Sequence, residues 1–229
     1  MFNLNDHGFQ IIEAETLQEK ITELESLFKL HYMNDLDLPV DILRRKISLF
    51  AKDLKIALYL SSLTPFLPKD IEKPIFCGPC VTHFTSVNEV GSGFGLEYHQ
   101  DWPSMVSSLN SVVAWTAVTE VGPDTHGLEF LVSSHKAGVL PGEQTENGWI
   151  IDHKITLEYD SFIPVLPKGG LIIFSPFLVH RTHIAKSYLG YKLAFSQRFD
   201  DLHSNEWRER GFQCAYSNFV DRKLFSHFP

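Results

Sequence analysis

Residues 167–180 read Pro167-Lys168-Gly169-Gly170-Leu171-Ile172-Ile173-Phe174-Ser175-Pro176-Phe177-Leu178-Val179-His180. A Gly-Gly turn opens a short apolar run, a second turn signal follows, and a histidine closes the stretch. A brief apolar run bounded by turn residues describes a strand buried on both faces. A histidine directly after it stands at the rim of a sheet, where its ring can reach a ligand.

The same texture covers the chain from about residue 72. β-rich runs occur at 81–87, 95–100, 111–119, 128–132, 161–166, 171–175, 178–182 and 191–199. Turn residues separate them at Gly91-Ser92-Gly93, Gly122-Pro123-Asp124, Glu146-Asn147-Gly148 and Pro167 to Gly170. Many short strands with such punctuation predict a sandwich or barrel. The first third differs. Leu17, Ile21, Leu24 and Phe28 recur at helical spacing, then Leu43, Ile47, Phe50, Leu54 and Leu58, between Pro39 and the pair Pro65 and Pro68. Such stripes pack on a neighbouring layer more often than they bind a partner. The reading is one domain over residues 1–229: a helical buttress at 1–68, a β core at 72–200 and a C-terminal extension at 201–229.

Working outward from His180, a second piece stands at His99-Gln100-Asp101. Residues i and i+2 of a strand point to one face, so His99 and Asp101 can present two ligands to one ion while Gln100 points away. With His180 they make two imidazoles and one carboxylate, the facial set of non-haem Fe(II) oxygenases, with positions left for co-substrate and O2. His183 is the competing third ligand, but His180 follows the apolar run directly. His135 reads as structural or pocket-lining, and His7, His31, His126, His153, His203 and His227 as surface or core residues.

A 2-oxo acid chelating such an ion needs a cation for its far carboxylate. The run Tyr191 to Phe199 alternates, with Lys192, Ala194, Ser196 and Arg198 on one face and Leu193, Phe195, Gln197 and Phe199 on the other. Two cations flanking two small residues suit a cavity wall.

Bulk properties narrow the class. A formal charge of −8 without a basic cluster argues against nucleic acid and acidic membranes as partners. No run is long and apolar enough for a membrane span, and the N-terminus shows no secretory pattern. Three cysteines, Cys77, Cys80 and Cys214, are too few for a disulfide framework, so the expected setting is reducing and cytoplasmic. Cys77-Gly78-Pro79-Cys80 copies a thioredoxin-type motif, but the β-branched and aromatic run Val81 to Thr85 follows it instead of a helix. The motif therefore reads as a structural turn.

Together these pieces resemble the phytanoyl-CoA dioxygenase family of Fe(II)/2-oxoglutarate oxygenases over roughly residues 80–200. The resemblance is carried by Tyr98-His99-Gln100-Asp101-Trp102, by Leu131-Val132-Ser133-Ser134-His135-Lys136 (a stretch like the family's PGSHK), by Gly170-Leu171-Ile172-Ile173-Phe174, by His180-Arg181-Thr182 with Ser187, and by the basic strand after them. It implies a double-stranded β-helix (a cupin-like jelly-roll) with helices on one sheet. It implies Fe(II), 2-oxoglutarate and O2, and hydroxylation coupled to decarboxylation of 2-oxoglutarate to succinate and CO2. Related halogenases replace the carboxylate ligand by a small residue, so Asp101 speaks against halogenation. The family's Arg, about eleven residues after the distal histidine, is replaced here by Tyr191 followed by Lys192.

The co-substrate anchor is then decided on hairpin register. A turn near Lys186 would set Lys192 opposite His180, and a turn at Leu189-Gly190 would set Arg198 there. The family spacing favours Lys192 as anchor, with Arg198 as runner-up and Thr182 as helper. Gln100, Trp102 and Trp115 are candidate substrate contacts, on a small molecule whose identity is unreadable. The alternative functions are a cupin-like metal protein without oxidative turnover and a thiol oxidoreductase built on Cys77 and Cys80. The oligomeric state is not legible.

Overall fold

The structure, a computed structural model, describes residues 2–35, 59–77, 80–86, 95–105, 107–145 and 148–204, with Lys46, Glu206 and Glu209. The second helical stripe, the Gly91-Ser92-Gly93 turn, Gly78-Pro79, Cys214 and most of the C-terminal extension lie outside the described residues.

The first stripe forms its helix. After a short α1 (Leu4–His7), α2 runs over Glu15–Tyr32, and its buried residues are Leu17, Ile21, Leu24 and Phe28. Eleven strands are described: β1 (Phe9–Ile12), β2 (Pro74–Phe76), β3 (Val81–Ser86), β4 (Val112–Ala117), β5 (Gly127–Leu131), β6 (Gly142–Thr145), β7 (Gly148–Ile151), β8 (Ser161–Phe162), β9 (Leu171–Phe174), β10 (His180–His183) and β11 (Tyr191–Asp201). One antiparallel sheet has the order β1-β9-β4-β11-β2, with β3 also paired to β11. The other has the order β10-β5-β8. His99 bridges both Ile150 and His180, which joins the β6-β7 hairpin to that second sheet. The result is mainly β with few helices, in the jelly-roll class.

Alternation along the larger sheet makes two cores. Val112, Ala114, Leu171, Ile173, Leu193, Phe195 and Phe199 pack on the α2 stripe. Val113, Trp115, Ala117, Ile172, Phe174 and Ala194 turn inward against Leu128 and Phe130 of the second sheet. Both faces are therefore buried, and each large apolar side chain so covered contributes about 1.5–3 kcal/mol. The Gly-Gly turn is what lets α2 lie close. Gly169 has φ +84, and a Cβ there would stand 3.3 Å from Gln18 Cα.

Three expectations change. The first third is not purely helical: Phe9-Gln10-Ile11-Ile12 forms β1 and pairs with β9. The run 95–100 is not a strand but a segment with one bridging residue, His99. And β10 and β11 do not form a hairpin, because β10 pairs with β5 while β11 pairs with β3 and β4. The two strands belong to opposite sheets, so the choice between two hairpin registers has no basis.

Candidate active site

His180 opens β10 and is fixed from behind. Leu178 N donates to the Ser175 carbonyl, and Val179 N donates to Ser134 Oγ at 2.9 Å. Ser134 belongs to the stretch 133–136, whose His135 Nε2 lies 3.0 Å from the Asn5 carbonyl, away from the metal-ligand candidates. On the second sheet's other side, Glu129 accepts from Tyr98 OH at 2.8 Å and from Arg181 Nη2 at 2.7 Å, and Arg181 lies over the Tyr98 ring. Tyr98 precedes His99 and Arg181 follows His180, so this cluster ties together the two backbones that carry the histidines.

His99 Nδ1 is 2.8 Å from the Glu97 carbonyl, and His180 Nδ1 is 3.0 Å from the Leu178 carbonyl. A carbonyl only accepts, so each Nδ1 donates and each Nε2 keeps its lone pair. One ligand atom each from His99, Asp101 and His180 gathers within 4.8 Å, the one such trio among the described residues. His99 Nε2 is 3.8 Å from Asp101 Oδ1. All three residues are buried. Burial would raise the Asp101 carboxyl, but the Arg198 guanidinium and the two histidines outweigh it and hold it well below the usual carboxylate range. Burial, helped by neighbouring His99, lowers His180 to about 4. An ionised carboxylate and a neutral imidazole are the forms a divalent ion binds.

The trio faces a cavity of about 380 Å³ between the sheets. Its β11 wall carries Lys192, Ser196 and Arg198, on the face that alternation assigned to a cavity. Arg198 stands at the metal end, where its Nη2 lies 3.2 Å from both Asp101 oxygens. Lys192, only 2 % exposed, donates to the Gly127 carbonyl at 3.4 Å. Gly127 pairs with His183, three positions or roughly 10 Å along β10 from His180. Thr182 lines the cavity, and its Oγ1 accepts from Leu96 N. Trp115 lines it too, with a buried Nε1 that has no hydrogen-bond partner among the described residues.

Gln100 and Trp102 do not line this cavity. Gln100 donates to the Gly138 and Phe177 carbonyls and accepts from Leu140 N, so its amide is spent on backbone. Trp102 stacks on Phe177 and donates to the Ser107 carbonyl. Adjacency to Asp101 in sequence turned neither of them inward. His183 bonds the Pro123 carbonyl and stands apart from the trio. Cys77 and Cys80 are not joined in a disulfide, β3 follows them, and burial pushes the Cys80 thiol up to about 12, opposite to what a redox pair needs.

One cavity residue escaped the sequence reading. His83 lies opposite Ala194, its Nε2 2.8 Å from Ser196 Oγ, and burial with the nearby Lys192 and Arg198 charges keeps it neutral. Its alternation with Phe84 was visible, but a sheet buried on both faces gives no polarity by which to tell the cavity side.

A jelly-roll whose cavity gathers two imidazoles and a carboxylate has the ligand set of non-haem Fe(II) oxygenases. The phytanoyl-CoA dioxygenase family model matches residues 25–188, and the chain belongs to that family, which uses Fe(II), 2-oxoglutarate and O2. Similar solved folds include SnoK, a non-heme alpha ketoglutarate dependent carbocyclase from nogalamycin biosynthesis, at 13% identity over 86% of this chain and 81% of that one, with TM-score 0.55. EctD from S. alaskensis aligns at 12% identity over 86% and 74%, with TM-score 0.54. The epimerase SnoN from nogalamycin biosynthesis aligns at 15% identity over 86% and 80%, with TM-score 0.53. No curated protein sequence matches the chain. Among the described residues, no helix is long and apolar enough to cross a membrane.

Proposed function

We propose that this chain hydroxylates a small molecule, with Fe(II) held by His99, Asp101 and His180 and with 2-oxoglutarate as co-substrate. The observation that carries the reading is the convergence of the three donor atoms within 4.8 Å, with both histidine Nδ1 atoms bound to carbonyls. Two imidazoles and a carboxylate fit Fe(II), and the buried Trp115 Nε1 suits a ligand that brings an acceptor oxygen. Bound Fe(II) with 2-oxoglutarate would supply the oxidising power that no side chain here has.

The chain's own residues bind and orient. Lys192 holds the far carboxylate of the 2-oxo acid, with Thr182 lining the cavity from the opposite sheet, because Arg198 is engaged with Asp101 at the other end. Trp115 donates its N–H to bound ligand. Leu128, Val113 and Phe174 line the cavity and keep water from the reacting atoms.

Anaerobic addition of Fe(II) and 2-oxoglutarate should give a weak visible charge-transfer band, and O2 should then release succinate. Alanine at His99, Asp101 or His180 should abolish both, while His183→Ala should keep both. A band without succinate under a broad metabolite screen would favour a metal-binding protein without turnover.

A further inference from the structure

Arg198 Nη2 is 3.2 Å from Asp101 Oδ1 and 3.2 Å from Oδ2. Equal distances place the nitrogen astride the carboxylate, where a chelated ion would otherwise sit. Oδ1 is the oxygen that faces His99 Nε2, at 3.8 Å. Both side chains are about nine-tenths buried, at 8 % and 10 % exposure, so water does not compete for this contact. Arg198 is presented from β11, opposite Val113 in the middle of the larger sheet, while Asp101 comes from the segment after the His99 bridge. The pair thus joins the two sheets at the metal end of the cavity.

We infer that Arg198 is a positioning residue that prevents Asp101 from chelating, so that Asp101 offers the metal Oδ1 alone. This rests on the reading that the trio binds Fe(II). The consequence is arithmetical. Three protein donors leave room for a 2-oxo acid that takes two positions and for one diatomic ligand. A chelating Asp101 would use one more position, and the diatomic ligand would have none. The charge works in the same direction. A guanidinium beside the carboxylate repels a divalent cation, so Arg198 weakens metal binding slightly while keeping the site open.

The test compares wild type with R198M, using metal-free protein titrated with Mn(II) and, anaerobically, Fe(II) with 2-oxoglutarate and nitric oxide as a probe of the open position. In wild type the electron paramagnetic resonance signal of the iron-nitrosyl should form in proportion to bound iron. In R198M that signal per bound iron should be largely lost, while Mn(II) affinity is unchanged or tighter. A residue that merely supported Asp101 would instead weaken Mn(II) on removal, and that result overturns the inference. So does a wild-type nitrosyl signal in R198M. R198K, which keeps a nitrogen on the same strand position, should restore the signal. If R198M does not fold by its melting curve, R198L carries the same comparison. Failure of wild type itself to bind Fe(II) and 2-oxoglutarate would sink the underlying functional reading, a result distinct from either.

Discussion

Lys192 carries a buried positive charge at the far end of the cavity from Asp101. Its ammonium is a point charge without the two-pronged fork of Arg, so it anchors a carboxylate without fixing its plane. Lys192→Ala should raise the Michaelis constant for 2-oxoglutarate roughly thirtyfold or more, about 2 kcal/mol for losing one partner of a buried charge pair. Mn(II) affinity should not change. If an Arg198 substitution had that effect on 2-oxoglutarate and Lys192→Ala did not, the anchor would be Arg198. At this scale the sequence was informative where geometry is local. The trio His99, Asp101 and His180 converges as the spacing suggested, although His99 and Asp101 stand on an isolated bridge and a bend, not on a strand. It misled where the answer depended on what lies across the cavity. Gln100 and Trp102 flank a ligand candidate yet bond backbone, and the Lys192 argument reached its residue through a hairpin that does not exist.

Between residue and fold stands the cluster of Glu129, Tyr98 and Arg181, which clamps β5, β10 and the His99 segment together. Burial pushes the Glu129 carboxyl up, but its hydrogen bonds from Tyr98 and Arg181 win and leave it lowered. A depressed folded pKa means stability that is fully present above the unfolded value and lost as pH falls through the folded one. Glu129→Gln should therefore cost about 2 kcal/mol at neutral pH, and denaturant melts should show the difference from wild type closing below the ordinary glutamate value of about 4.3. A gap that stayed constant down to acid would assign the loss to packing instead of charge. Element by element, strands with apolar runs at both ends of β9 were readable. The short β1 was not, since Phe9-Gln10-Ile11-Ile12 sits in front of a helical stripe and its partner lies far along the chain. The hairpin strands β6 and β7 were missed because Gly142-Glu143-Gln144-Thr145 is polar and Trp149-Ile150-Ile151 is only three residues long.

For the whole molecule, we propose that the helical buttress and the β core fold as one unit, since β1 pairs with β9 and α2 packs on the larger sheet. Residues 70–229 alone would lose β1 beside β9 and α2 over Ala114, Leu171, Ile173, Phe195 and Phe199. That fragment should aggregate or melt without cooperativity, and a sharp thermal transition in a monodisperse fragment would show two independent domains. A sandwich or barrel was legible because strand count and turn spacing are global signals that survive errors in single strands, and the family resemblance narrowed it to a jelly-roll. The same pairing of β1 with β9 has a consequence for how the chain is made. β1 is synthesised well before β9, the strand it pairs with, and α2 and β2 to β8 are made in between. Contacts this distant in sequence belong to proteins that fold in milliseconds to seconds, not microseconds. Until β9 emerges, the backbone edge of β1 lacks the strand it pairs with, and its safe arrival depends on the pace of synthesis as much as on the stability of the finished sheet.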